Sequence, residues 1–318
     1  MTAIDRTDLQ RVIAVINNKG GVGKTTLTAN IGGILAASGW RVLLVDLDHQ
    51  GNLGMDLGYE GTAQDDDGAG LSKAMLYPDD DPKPLKNVRP GLDVLPGGRY
   101  LESASATLSA YSSKGPAGTT EARLSVAKML NKIAADYDII LMDCPPGNDV
   151  IQSAAVTAAR YLLIPSIVDD GSLKGLSLTA DRIESVADLN PDVDLLGVVQ
   201  FGAPANAHKI RKEFVAEASG IIGGGADAAH LIFTNEVRYA LATAKQARKQ
   251  GLLVHELDAQ GRNAPKWYEL LKEGAPANVN SAPPSSTSVA GSLHAVTMEL
   301  IERLAQFESE DVEVPAHV

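Results

Sequence analysis

Residues 12–46 restrict the fold of this chain more than any other stretch: VIAVINNKGGVGKTTLTANIGGILAASGWRVLLVD. The apolar run 12–16 reads as a buried parallel strand. A tight loop follows, Lys19-Gly20-Gly21-Val22-Gly23-Lys24-Thr25-Thr26. From Thr25 to Ser38 the apolar residues Leu27, Ile31, Ile34 and Leu35 share one helical face. Gly39 stands where a left-handed C-cap is wanted, and 41–46 is a second apolar strand. Strand, glycine loop, helix and strand within about 30 residues make a right-handed βαβ unit.

The loop has the chemistry of a phosphate cradle. Glycines at 20, 21 and 23 remove the Cβ atoms that would keep backbone N–H groups from closing around an anion. The helix N-terminus behind them favours negative charge. Lys24 can reach the β- and γ-phosphates of ATP, Thr25 can ligate Mg²⁺, and Thr26 can bond the α-phosphate. The general pattern G-x-x-x-x-G-K-[ST] wants glycine at position 18, where Asn18 stands, and a second lysine, Lys19, precedes the glycines. KGGVGKTT thus resembles the deviant Walker A loop of the ParA/MinD family of ATPases. The resemblance implies that residues 19–26 bind ATP and that Lys19 crosses a nucleotide-sandwich homodimer to the partner's phosphates. That is a cation supplied in trans, as an arginine finger is.

Two further stretches fit that family. Asp46-Leu47-Asp48-His49-Gln50-Gly51-Asn52 resembles its switch I, D-x-D-P-Q-G-N, with His49 in place of proline and so without a fixed φ. By the resemblance Asp48 orients the attacking water and Asp46 lies close to the magnesium shell. Residues 138–143 form an apolar strand ending in Asp143, a Walker B pattern whose carboxylate holds Mg²⁺ beside Thr25. Cys144-Pro145-Pro146 resembles switch II, with Cys144 a packed thiol. Near the end, 230–238 resembles the family's penultimate strand and I-P-R-N-V-R loop, which implies adenine contacts at Thr234 and Asn235.

Elsewhere, the acid runs 65–67 and 79–81 read as solvated loops around a short helical LSKAMLY. A strand is expected over 91–96, and a polar stretch through 113–116 leads to a helix over 120–135. A strand follows at 161–168, then a helix capped by Ser172 and reaching 189, then a strand at 195–201. The last strand is expected at 252–256. Residues 261–288 have the composition of an insertion and flexible linker. Val289, Leu293, Val296, Leu300, Leu304 and Phe307 then recur at helical spacing, a closing helix over 289–307 before an acidic tail, 308–318. Residues 1–260 together with that helix are expected to form one α/β domain, a mostly parallel twisted sheet with helices on both faces.

Composition narrows the function. The chain has 318 residues and no apolar run of membrane-spanning length, so a cytoplasmic protein is expected. Its single cysteine excludes an intrachain disulfide and the Fe–S cluster of some relatives on this fold. Residues 1–10 are too short for the helix-turn-helix extension of some partition ATPases. The closing helix offers Glu299, Glu302, Glu308 and Glu310 against Arg303, which suits no membrane. The net charge is −12, yet residues 205–272 hold ten Lys/Arg against seven Asp/Glu. Lys245, Arg248 and Lys249 share a helical face, with Arg238 upstream, and these four are the expected contacts to nonspecific double-stranded DNA. The resemblance implies a ParA-type partition ATPase: an ATP homodimer, associated with the nucleoid, released when a ParB-like protein stimulates hydrolysis. Two alternatives on the same fold are a MinD-like positioning ATPase at the membrane and an ATP-dependent biosynthetic ligase of the dethiobiotin-synthetase kind.

Overall fold

The βαβ unit lies at the centre of the sheet. The computed structural model describes residues 4–203, 208–222, 225–264 and 282–313. Its strands are Val12–Val15 (β1), Val42–Asp46 (β2), Leu85–Arg89 (β3), Leu92–Leu95 (β4), Ile139–Asp143 (β5), Tyr161–Ser166 (β6), Asp194–Ala203 (β7) and Val237–Arg238 (β8). They form an eight-stranded sheet in the order β3-β4-β2-β5-β1-β6-β7-β8, parallel except where β3 meets β4. The expected α/β class is borne out. β1 sits between β5 and β6, so the loop that leaves its C-terminal end opens into the crevice where such sheets bind ligands.

The helices are Lys24–Ala37 (α1), Asn52–Leu57 (α2), Ala69–Leu76 (α3), Tyr100–Ser112 (α4), Pro116–Leu130 (α5), Asp149–Ala158 (α6), Asp170–Val186 (α7), His208–Ile222 (α8), Leu241–Gln250 (α9), Val254–Asn263 (α10) and Ser286–Glu313 (α11). They cover both faces. Strand alternation sends Val12 and Ala14 into a core with α4, α5 and α6, and Ile13 and Val15 into a second core with α1, α2 and α11. Helix α1 is buried nearly all round rather than along one stripe, because α10 and α11 cover its outer side. At Gly33 a Cβ would overlap the tip of the Leu253 side chain, which packs onto α1 at the start of α10.

Several elements depart from the expectations. The run 252–256 is not a strand: α10 begins at Val254, and Glu256 accepts the Leu253 N–H at 2.8 Å. Three apolar residues, Leu252, Leu253 and Val254, fit a strand or a buried helical turn equally well, and the glutamate three residues beyond the cap was the helix signal. Between 230 and 238 there is a 3-10 turn, a single bridge at Ile232 and the two-residue β8. Helix α5 starts at Pro116, whose fixed φ suits a first helical position, and stops at Leu130. Asp169, not Ser172, caps α7, accepting the Ser172 N–H at 2.8 Å. Residues 265–281, most of the expected linker, lie outside the described residues. Among the described residues no helix is long and apolar enough to cross a membrane.

The closing helix is longer than its apolar stripe. Leu293, Val296, Leu300 and Leu304 are buried, and Glu308, expected in a tail, is still helical and paired with Arg11 at 2.5 Å. Glu299 fastens this helix to the loop before β8. Its carboxylate accepts the N–H of Thr234 at 2.7 Å and of Asn235 at 2.8 Å, and pairs with Arg303 at 2.9 Å. Burial alone would raise its pKa; these donors overcome that and hold it below the ordinary value. Glu299→Ala is expected to cost about 3 kcal/mol in urea unfolding, since it strands two N–H groups and a guanidinium. The folded pKa is depressed, so the contribution is complete at neutral pH and fades as pH falls below about 4. A pH-independent difference between variant and wild type would refute the electrostatic origin.

Candidate active site

The loop between β1 and α1 is braced from both sides. Buried Asn17 donates to the Pro165 carbonyl at 2.9 Å and accepts the Lys19 N–H at 2.9 Å. Asn18, where the general pattern has glycine, accepts the Gly147 N–H at 3.2 Å and so joins the loop to the segment after β5. Gly23 is left-handed, with φ 91°, at the N-cap of α1, and a Cβ there would overlap the Phe201 ring at the end of β7. The Lys24 ammonium reaches back to the Lys19 carbonyl at 2.9 Å. Burial lowers its pKa, against the pull of Asp143. A cation stripped of water at the mouth of a glycine loop is one that an incoming polyanion stabilises.

The register of β2 on β5 places Asp46 beside Asp143. The Thr25 hydroxyl donates to Asp143 Oδ2 at 2.6 Å, while Asp143 Oδ1 is buried without a hydrogen-bond partner among the described residues. Burial raises the Asp143 carboxyl to about 7, with Thr25 and Lys24 opposing. A hydroxyl and a carboxylate with one oxygen unpartnered are the hard oxygen donors that suit Mg²⁺, so the residues fit the ion. Asp46 is close by, and its pKa is raised by burial and then by Asp143. Both its oxygens are already engaged, accepting the N–H groups of Asp48 at 3.0 Å and Leu53 at 3.1 Å. It anchors the turn into α2.

Asp48 is 5% exposed and faces the cleft. Its Oδ1 accepts the Gln50 N–H at 3.0 Å and its carbonyl accepts those of Gly51 and Gly98 at 3.1 Å. The cleft, about 510 Å³, is lined by the glycine loop, Lys24, Thr25, Thr26 and Asp48 together with Phe201, Tyr239 and Arg248. That volume is in the range of small-molecule sites. Lys19 extends instead to Asp169 of its own chain, an ion pair at the cap of α7.

Other expected site residues are placed differently. Thr234 and Asn235 are not brought to the cleft: Glu299 holds both, and they line two other cavities. The aromatic pair Phe201 and Tyr239, with ring centroids 5.9 Å apart, lines it in their place. Their signal in the sequence was one aromatic at the end of a strand and one just beyond another, in a chain with only 4% aromatic residues. The four expected DNA contacts also divide. Lys245 and Lys249 are exposed on α9. Arg238 donates to Ser288 of α11 at 2.7 Å. Arg248 borders the cleft and pairs with Asp56 of α2 at 2.6 Å.

The family profile described as AAA domain matches residues 10–195. The chromosome partitioning protein ParA of Myxococcus xanthus is 34% identical over 208 residues, 64% of this chain and 70% of that protein. Among solved structures, apo McdA from Cyanothece superposes with a TM-score of 0.64 at 24% identity, covering 78% of this chain and 93% of that one. A structure of cobyrinic acid a,c-diamide synthase from Mycobacterium smegmatis, with a bound ATP analogue and magnesium, superposes with a TM-score of 0.59 at 27% identity, covering 81% and 97%.

Proposed function

This chain belongs to the ParA/MinD family of P-loop ATPases, and on that footing we propose that it is a DNA-partition switch of the ParA type. It is an ATPase that works with ATP and Mg²⁺. Lys24 and the loop N–H groups hold the phosphates, the base lies against Phe201 and Tyr239, and Asp48 orients the attacking water. Thr25 and Asp143 would hold Mg²⁺, which neutralises charge on the β- and γ-phosphate oxygens when bound. Lys19 completes the partner's site in an ATP homodimer. Residues 1–260 and α11 act as one domain. A ParB-like protein with a basic segment, drawn to the acidic body, stimulates hydrolysis.

One observation supports DNA as the ligand of the ATP state. Helix α9 carries exposed Lys245 and Lys249, and the same helix meets the nucleotide cleft and α2 through Arg248. A change at switch I therefore reaches the basic surface through one ion pair. The dimer presents two such surfaces, and joining them raises avidity without new contacts. DNA binding should be nonspecific, confined to ATP and steeply salt-dependent. The double substitution Lys245→Glu/Lys249→Glu removes about four phosphate contacts per dimer and should flatten the log–log salt slope by about 3 to 4. Affinity in ATP should fall at least about tenfold at moderate salt. Equal binding of wild type in ATP and ADP, or an unchanged slope in the variant, removes α9 from the DNA surface.

A further inference from the structure

His49 occupies the position that is proline in the related switch I pattern, and its ring lies against the carboxylate of the neighbouring Asp48. Nδ1 is 3.3 Å from Asp48 Oδ1, and Nε2 is 4.0 Å from Glu102 Oε1 on α4. An ionised carboxylate only accepts hydrogen bonds, so the tautomer that serves Asp48 carries its proton on Nδ1. Oδ1 of Asp48 accepts the Gln50 N–H at 3.0 Å and has the His49 Nδ1 3.3 Å away, close enough for a small turn of the ring to make it a second donor. The 3.3 Å approach is long, as catalytic contacts are before substrate assembles the site.

We infer that His49 is a positioning residue for ATP hydrolysis, holding the Asp48 carboxylate in the orientation that presents Oδ2 to the attacking water. The inference rests on the reading of Asp48 as the water-orienting group. Proline at this position restrains the loop through its fixed φ and has no side-chain donor. Histidine gives up that restraint and acts on the carboxylate itself. The two devices predict different variants. If loop stiffness is what matters, proline serves as well as histidine. If the donor matters, asparagine serves, because its amide N–H₂ stands at a similar distance from the backbone.

The experiment is steady-state ATPase kinetics on the full chain with saturating DNA, together with fluorescent-ATP affinity, for His49→Ala, His49→Asn, His49→Pro and Asp48→Ala. His49→Ala is expected to lower kcat about tenfold, a fraction of the 10²–10⁴ that a positioned acid–base group supplies, with KM within about twofold. His49→Asn should recover kcat to within about threefold of wild type, and His49→Pro should stay with alanine. An unchanged kcat in His49→Ala, a rise in KM alone, or wild-type activity in His49→Pro overturns the inference while leaving Asp48 in place. Asp48→Ala separates the two claims: it should lose at least about 100-fold in kcat, and if it does not, the reading of Asp48 fails and takes the role of His49 with it.

Discussion

Lys24→Ala is expected to bind ATP at least about 100-fold more weakly, a loss of about 2.7 kcal/mol, and to show no hydrolysis at millimolar nucleotide. Lys24 is 7% exposed and its ammonium is held at the loop mouth by the Lys19 carbonyl. The other lysine of the loop, Lys19, turns its ammonium to Asp169 instead. The same burial makes the variant informative in the absence of nucleotide. Because burial lowers the folded pKa of Lys24, the charged side chain weakens the empty protein at neutral pH rather than supporting it. Alanine should therefore leave the melting temperature unchanged or raise it, while the upward shift given by Mg-ATP disappears. Thermal unfolding with and without Mg-ATP reads both. A variant that still gains stability from nucleotide would place the phosphates elsewhere, and one that melts well below wild type would make Lys24 a structural residue.

The parts of this protein legible in the sequence are those in which one local pattern determines one local outcome. KGGVGKTT between two apolar strands gives the loop, and two apolar runs ending in Asp46 and Asp143 bring those carboxylates side by side once β2 and β5 pair. What escaped depends on residues distant in the chain. Glu299 lies 64 residues from Asn235, and nothing around either residue says that one will cap the other. Arg248 reads as one of three bases on a helix face, but Asp56 of α2 turns it toward the cleft. Helix α4, YLESASATLSAYS, is hard to read because Ser and Thr dilute its apolar signal; only Leu101, Ala104 and Leu108 are buried. Asp46, expected near the magnesium shell, does stand beside Asp143, and its two oxygens also accept the N–H groups of Asp48 and Leu53.

Lys19→Ala is expected to lower turnover about 10³-fold while changing nucleotide affinity of the monomer less than about threefold, the behaviour of a cation supplied from a partner subunit. In the single chain the Lys19 carbonyl, not its side chain, braces Lys24, so the substitution leaves the cradle intact. The ammonium is paired with Asp169, and that pair must open before Lys19 can reach another protomer. Both partners are about one-third exposed, at 32% and 37%, and pairs of that kind contribute on the order of 1 kcal/mol or less. A charge-assisted contact to a phosphate is stronger, so exchange is favourable once two nucleotide-loaded chains meet. Asp169→Asn keeps a capping side chain for α7 but gives up the ion pair, and should let the ATP dimer form at about threefold lower protein concentration. A mixing experiment decides whether Lys19 acts in trans. Lys19→Ala and Asp48→Ala are each inactive alone; in a mixed dimer one site combines an intact Asp48 with the partner's intact Lys19. Equal mixing should then restore about a quarter of wild-type turnover, as half the symmetric dimers are mixed and half of their sites are complete. A mixture that stays inactive although sedimentation shows dimers would put Lys19 in its own site, which is the arrangement expected of a ligase that works within one active site.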